Sequence, residues 1–136
     1  MKGIEARYYN KLENNKVHCV LCPHNCHIAN GGRGICGARR NIDGVLYAES
    51  YGQISSIALD PIEKKPLYHF YPGSYILSAG SFGCNFRCSF CQNYSISMGT
   101  PNTIFIPPEK LVYKAHELKK SDNIGLAYTY NEPLIS

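Results

Sequence analysis

The sequence has no tryptophan and only two methionines, and no apolar run in its 136 residues approaches the length of a membrane span. A helix crossing a bilayer needs roughly 18 apolar residues in a row. The opening Met1-Lys2-Gly3-Ile4-Glu5-Ala6-Arg7 also lacks the apolar stretch of a secretory leader. These absences predict a cytoplasmic protein with no membrane partner. Charge of one sign is nowhere concentrated: the net charge is +4, and Arg39-Arg40, Lys64-Lys65 and Lys119-Lys120 lie far apart. Such a dispersed, mildly basic surface argues against nucleic acid as a partner. Gly31-Gly32-Arg33-Gly34 has neither the strand before it nor the Lys-Ser/Thr after it that a phosphate loop needs. There is no internal repeat and no low-complexity segment.

Cysteine, by contrast, is abundant. The seven divide into Cys19, Cys22, Cys26 and Cys36, then Cys84, Cys88 and Cys91. Disulfide pairing would leave one over, whereas two metal sites use them all. In a reducing compartment clustered cysteines more often bind metal than each other. The apolar fraction, 44%, is that of an ordinary globular chain and excludes general disorder.

Residues 1 to about 40 show no sustained periodicity and read as loops folded round a metal. Val45–Tyr51 and Gln53–Leu59 read as two short strands turning near Gly52. Tyr75 to Ala79 is a buried strand closed by Gly80, and a long loop with three cysteines follows it. Pro107-Pro108 opens a helix, with Glu109 complementing its dipole. Leu111, Ala115 and Leu118 then recur at helical spacing, before a second strand from Ile124 to Thr129. Strand, helix, strand is a βαβ unit. The expected fold class is therefore α/β: the N-terminal part of a partial (βα) barrel, preceded by a small Cys-rich metal module with a short β-hairpin. The module would occupy residues 1–72. The core would begin in 73–136 and remain incomplete there, since two strands close no barrel.

Cys84-Asn85-Phe86-Arg87-Cys88-Ser89-Phe90-Cys91 has the spacing C-x3-C-x2-C. Iron–sulfur clusters normally take four thiolates, so three close cysteines leave one iron open, and an open position is what catalysis at a metal requires. Zinc would instead pair two C-x2-C elements or recruit histidine, and this loop has none. The first segment, with C-x2-C-x3-C-x9-C, supplies four thiolates for a closed site holding zinc or a second iron–sulfur cluster. His18, His24 and His27 could replace a ligand there.

The Cys84–Cys91 segment resembles the signature of the radical S-adenosylmethionine superfamily. Cys22-Pro23-His24-Asn25-Cys26, Gly34-Ile35-Cys36-Gly37-Ala38-Arg39 and Asp60-Pro61-Ile62-Glu63-Lys64-Lys65-Pro66-Leu67-Tyr68-His69-Phe70 resemble the radical enzymes of the AmmeMemoRadiSam system, which are similar to pyruvate formate-lyase activating enzymes. The resemblance implies the radical S-adenosylmethionine partial barrel, with a 4Fe–4S cluster on Cys84, Cys88 and Cys91. It implies reductive cleavage of S-adenosylmethionine to a 5′-deoxyadenosyl radical, which abstracts hydrogen from a substrate not named by the sequence, a protein or a small molecule. Phe90 would lie near the adenine. Relatives carry Gly-Gly-Glu-Pro where this chain has Tyr130-Asn131-Glu132-Pro133, so Asn131 and Glu132 are the candidates to meet the cofactor's amino group. A low-potential donor, ferredoxin or flavodoxin, would supply the electron. The competing readings are a non-catalytic iron–sulfur electron-transfer protein and a zinc-binding interaction module.

Overall fold

The computed structural model describes residues 3–135; Met1 and Lys2 of the polar start lie outside the described residues, as does Ser136. The chain begins with β1 (Ile4–Glu5), β2 (Tyr9–Lys11), β3 (Val17–Cys19), β4 (His27–Ile28), β5 (Arg39–Ile42) and β6 (Val45–Ala48). It continues through β7 (Gln53–Ile54), β8 (Ser56–Pro61) and β9 (Tyr75–Gly80). A four-residue helix, α1 (Tyr94–Ser97), precedes β10 (Ile104–Phe105), α2 (Pro108–Glu117) and β11 (Asn123–Tyr128). Strands β2, β3 and β4 form one antiparallel sheet, and β1, β6 and β5 another. Strands β7 and β10 pair antiparallel. In the last sheet β9 is central, antiparallel to β8 and parallel to β11.

The expectation of a (βα) barrel is overturned. Among the described residues the regular elements are mostly strands, in several small and largely antiparallel sheets, with α2 the one α-helix longer than a single turn. One parallel pair, β9 with β11, is spanned by α2, but β9 carries an antiparallel strand on its other side. The remaining strands join separate sheets. The N-terminal segment, expected as loops, contains β1 to β4. The chain does turn at residues 49–52, with Gly52 at a φ of 68°, but β6 and β7 on either side of it do not pair; the hairpin is made at Asp43-Gly44, between β5 and β6. Both turn residues have positive φ, 52° and 80°, as the tight turn matched to strand twist requires, and Asp-Gly is a favoured pair for it.

Two apolar clusters explain these elements. Ala6, Val17, Cys19, Ile28, Leu46 and Ala48 pack between the two N-terminal sheets. Asn41, fully buried, ties those sheets together: its amide donates to the carbonyls of Asn15 (2.8 Å) and Ile28 (2.9 Å) and accepts from the Gly44 amide (3.0 Å). Leu77, Ala79, Leu111 and Ile54 form the second cluster, joined by Ala115, Leu118 and Leu126. The helical spacing of Leu111, Ala115 and Leu118 thus does what it predicts, placing one apolar face of α2 and its following turn on the β9–β11 pair. No helix among the described residues is long and apolar enough to cross a membrane.

Candidate metal and cofactor site

The loop holding Cys84, Cys88 and Cys91 leaves the C-terminal end of β9 and lies against the N-terminal cysteine segment. Gly83 makes this approach, with φ of +80°; a Cβ there would meet the Cys36 carbonyl oxygen at 2.6 Å and the Ala38 Cβ at 2.9 Å. Neither space nor backbone conformation admits another residue. The Cys84 amide donates to the Cys36 carbonyl at 3.1 Å. The His24 imidazole, at Nε2, donates to the Asn85 carbonyl at 2.7 Å, which fixes the proton on that nitrogen. Arg87 closes the contact: its guanidinium donates to the Cys84 carbonyl at 3.0 Å and to the Ile35 carbonyl, and reaches the Met98 sulfur at 3.6 Å.

Within the loop, the Phe86 amide lies 3.4 Å from the Cys84 sulfur, and the Cys91 amide donates to the Cys88 carbonyl at 3.2 Å. Cys84 is buried, Cys91 half-buried and Cys88 exposed. Phe90 is 87% exposed. All seven cysteines are free thiols. Three thiols on eight residues, with no competing imidazole, are the donor chemistry of a cluster with one open iron. Their side chains stand apart: among the described residues no three His, Cys, Asp or Glu side chains converge to hold a metal ion.

The same holds for Cys19, Cys22, Cys26 and Cys36. Cys19 and Cys36 are buried, Cys22 and Cys26 half-buried. Burial pushes the Cys36 thiol up, against the backbone amides of Ala38 and Arg39 and the Arg39 charge. Arg39 is itself 6% exposed; its Nη1 donates to the Arg7 carbonyl at 2.8 Å and lies 3.8 Å from the Cys19 sulfur, while its buried Nε has no hydrogen-bond partner. Four cysteine sulfurs brought onto one segment are the donor types of a thiolate-bound metal, although burial holds Cys36 toward the neutral thiol. His18 and His27, opposite each other on β3 and β4, stack at 4.2 Å. His24 is engaged by the cysteine loop.

The segment after β11 meets the loop from the other side. Asn131 accepts from the Ser81 amide at 3.1 Å and donates to the Gly83 carbonyl at 2.9 Å. Glu132 accepts from the Leu134 amide at 3.1 Å, capping the single turn Pro133–Ile135. Tyr130 holds a φ of 74°, a left-handed conformation that costs a bulky residue on the order of 1–3 kcal/mol. Its phenol donates to Asp60 at 2.7 Å, and Asp60 also receives Lys64 and Lys65, each at 2.8 Å. Burial would raise the Asp60 carboxyl, but hydrogen bonds from Lys64, Lys65, Tyr130 and Ser78 prevail and hold it well below the usual carboxylate range. A cavity of about 280 Å³ opens at the ends of β9 and β11, with Ser50, Tyr51, Ser81, Thr129 and Asn131 among its lining.

Sequence reasoning missed Arg87, Tyr130 and the role of His24. Tyr130 has a local signal, a bulky residue in the position where the resembled pattern has glycine. His24 acts through the Asn85 carbonyl and Arg87 through the Ile35 carbonyl, both distant in sequence, and no local pattern marks those contacts.

No protein-family model and no solved structure matches the chain. It is 48% identical over 134 residues to an uncharacterised protein of Methanocaldococcus jannaschii, an alignment covering 96% of this chain and 39% of that relative. The chain thus spans about two-fifths of the length of the relative it matches.

Proposed function

We propose that this chain belongs to a radical S-adenosylmethionine enzyme, in which Cys84, Cys88 and Cys91 hold a 4Fe–4S cluster. The observation that carries the reading is the C-x3-C-x2-C loop at the C-terminal end of β9, next to the end of the parallel strand β11. When bound, the cluster would supply one electron to a sulfur–carbon bond of S-adenosylmethionine, giving methionine and a 5′-deoxyadenosyl radical.

The chain's own residues fix and shield. Gly83, Arg87 and His24 hold the loop against the N-terminal segment, and the exposed Cys88 would join Cys84 and Cys91 as the cluster's third ligand. Phe90 stands in solvent, available to cover an adenine. Glu132 would exchange its cap for the cofactor's amino group, and Asn131 would hold the backbone on which that group rests. Cys19, Cys22, Cys26 and Cys36 would bind zinc or a second iron–sulfur cluster, with Arg39 balancing thiolate charge. A ferredoxin or flavodoxin would deliver the electron in the cytoplasm, where free thiols persist. The hydrogen donor would be a protein or a small molecule.

The test is anaerobic incubation of the full-length protein with S-adenosylmethionine and dithionite, read as 5′-deoxyadenosine. Cys88→Ala should drop the product to background and lower bound iron. Near-normal product from that variant would sink the proposal. Iron bound without product would favour an electron carrier, and zinc alone an interaction module.

A further inference from the structure

We infer that the Asp60–Tyr130 pair is a latch that positions the cysteine loop through Asn131. The inference rests on the proposed function only for its consequence in catalysis; the geometry stands without it. Asp60 is 4% exposed at the end of β8, where the Asp-Pro-Ile-Glu-Lys-Lys run begins, and no step proposed above uses that run.

The connection is continuous. Lys64 and Lys65 orient the Asp60 carboxylate, which accepts the Tyr130 phenol. Lys65 also sits 4.9 Å from the Tyr130 ring centre. The ring lies on Gly80, where a Cβ would meet its Cδ2 at 2.8 Å. So anchored, Tyr130 keeps a backbone conformation it would not choose alone. That conformation aims the next side chain, Asn131, at the backbone of Ser81 and Gly83. Those two residues launch Cys84. Without the phenol, Tyr130 relaxes to negative φ, Asn131 turns away, and the loop keeps only its contacts to the Cys36 side.

Residue-resolved hydrogen exchange in the metal-free full-length protein tests this. Tyr130→Phe should speed exchange of the Ser81 amide about tenfold, the loss expected for one hydrogen bond, with β5 and β6 unchanged. Asn131→Ala should match it, and the double variant should be no faster than either, because both break one connection. Should Tyr130→Phe not fold, Asp60→Ala removes the acceptor of the phenol without touching the loop and should give the same acceleration. Wild-type exchange in Tyr130→Phe, effects that multiply in the double variant, or uniform acceleration across the chain would each overturn the latch. Failure of the radical reading appears separately, as a wild-type protein that makes no 5′-deoxyadenosine.

Discussion

The strands before residue 50 are two to four residues long, and polar side chains bonded to backbone tie them together. Strands β8, β9 and β11 are six residues each, and aliphatic side chains pack the last two under α2. The first region buries an apolar cluster of small and aliphatic side chains and adds to it buried side-chain–backbone hydrogen bonds from Asn41 and Arg39. The second is held by area removed from water. The cysteine loop lies between them, bonded to Cys36 and Ile35 on one side and to Asn131 on the other. Its geometry therefore depends on both kinds of order.

Leu77→Ala should have the largest effect. Leu77 is 2% exposed at the centre of the second cluster, and truncating such a leucine costs about 3 kcal/mol. Denaturation followed by hydrogen exchange should show α2 and β11 losing protection before the β5–β6 hairpin. Equal loss in both regions would break the comparison and make the chain one cooperative unit. Asn41→Ala, a loss of about 2 kcal/mol from three hydrogen bonds, two of them buried, should reverse the order of loss. The β3–β4 and β5–β6 pairs should open while α2 stays protected.

The same contrast governs what the sequence makes legible. Strands β9 and β11 and helix α2 are long enough for their apolar pattern to show, and Pro107-Pro108 marks the helix start. Strands of two or three residues cannot display alternation, so β1 to β4 read as loop. The turn at Gly52 is legible and present, but the strands on either side pair elsewhere, whereas Asp43-Gly44 carries the local signal of the hairpin that does form. The parallel β9–β11 pair reads locally as the start of a barrel because nothing in Ser56–Pro61 marks it as an antiparallel neighbour of β9. In the site, cysteine spacing is a local signal and is legible in the sequence. The bonds from His24, Arg87 and Asn131 that set the loop are long-range side-chain–backbone contacts, which leave no periodicity behind.

Asp60→Asn probes the exception to the comparison, a buried charge in the aliphatic region, and should have the smallest effect at neutral pH. Lys64 has a side chain 58% exposed, so its bridge to Asp60 contributes little; Lys65, 15% exposed, and the Tyr130 phenol hold the carboxylate more firmly. Asparagine keeps one acceptor oxygen but turns an amide toward the lysines, for a cost of about 1 kcal/mol. The difference should grow diagnostic in acid. Because the folded carboxyl is held below its unfolded value, its contribution to stability is full above about pH 4 and is lost as pH falls toward the depressed folded value. Wild-type stability, read from urea midpoints between pH 5 and pH 2 (roughly the range over which carboxylates titrate), should therefore fall more steeply than that of Asp60→Asn, and the two curves should converge. Parallel curves would show that the lysines and the tyrosine do not stabilise this carboxylate, and that the second region is held by apolar packing alone.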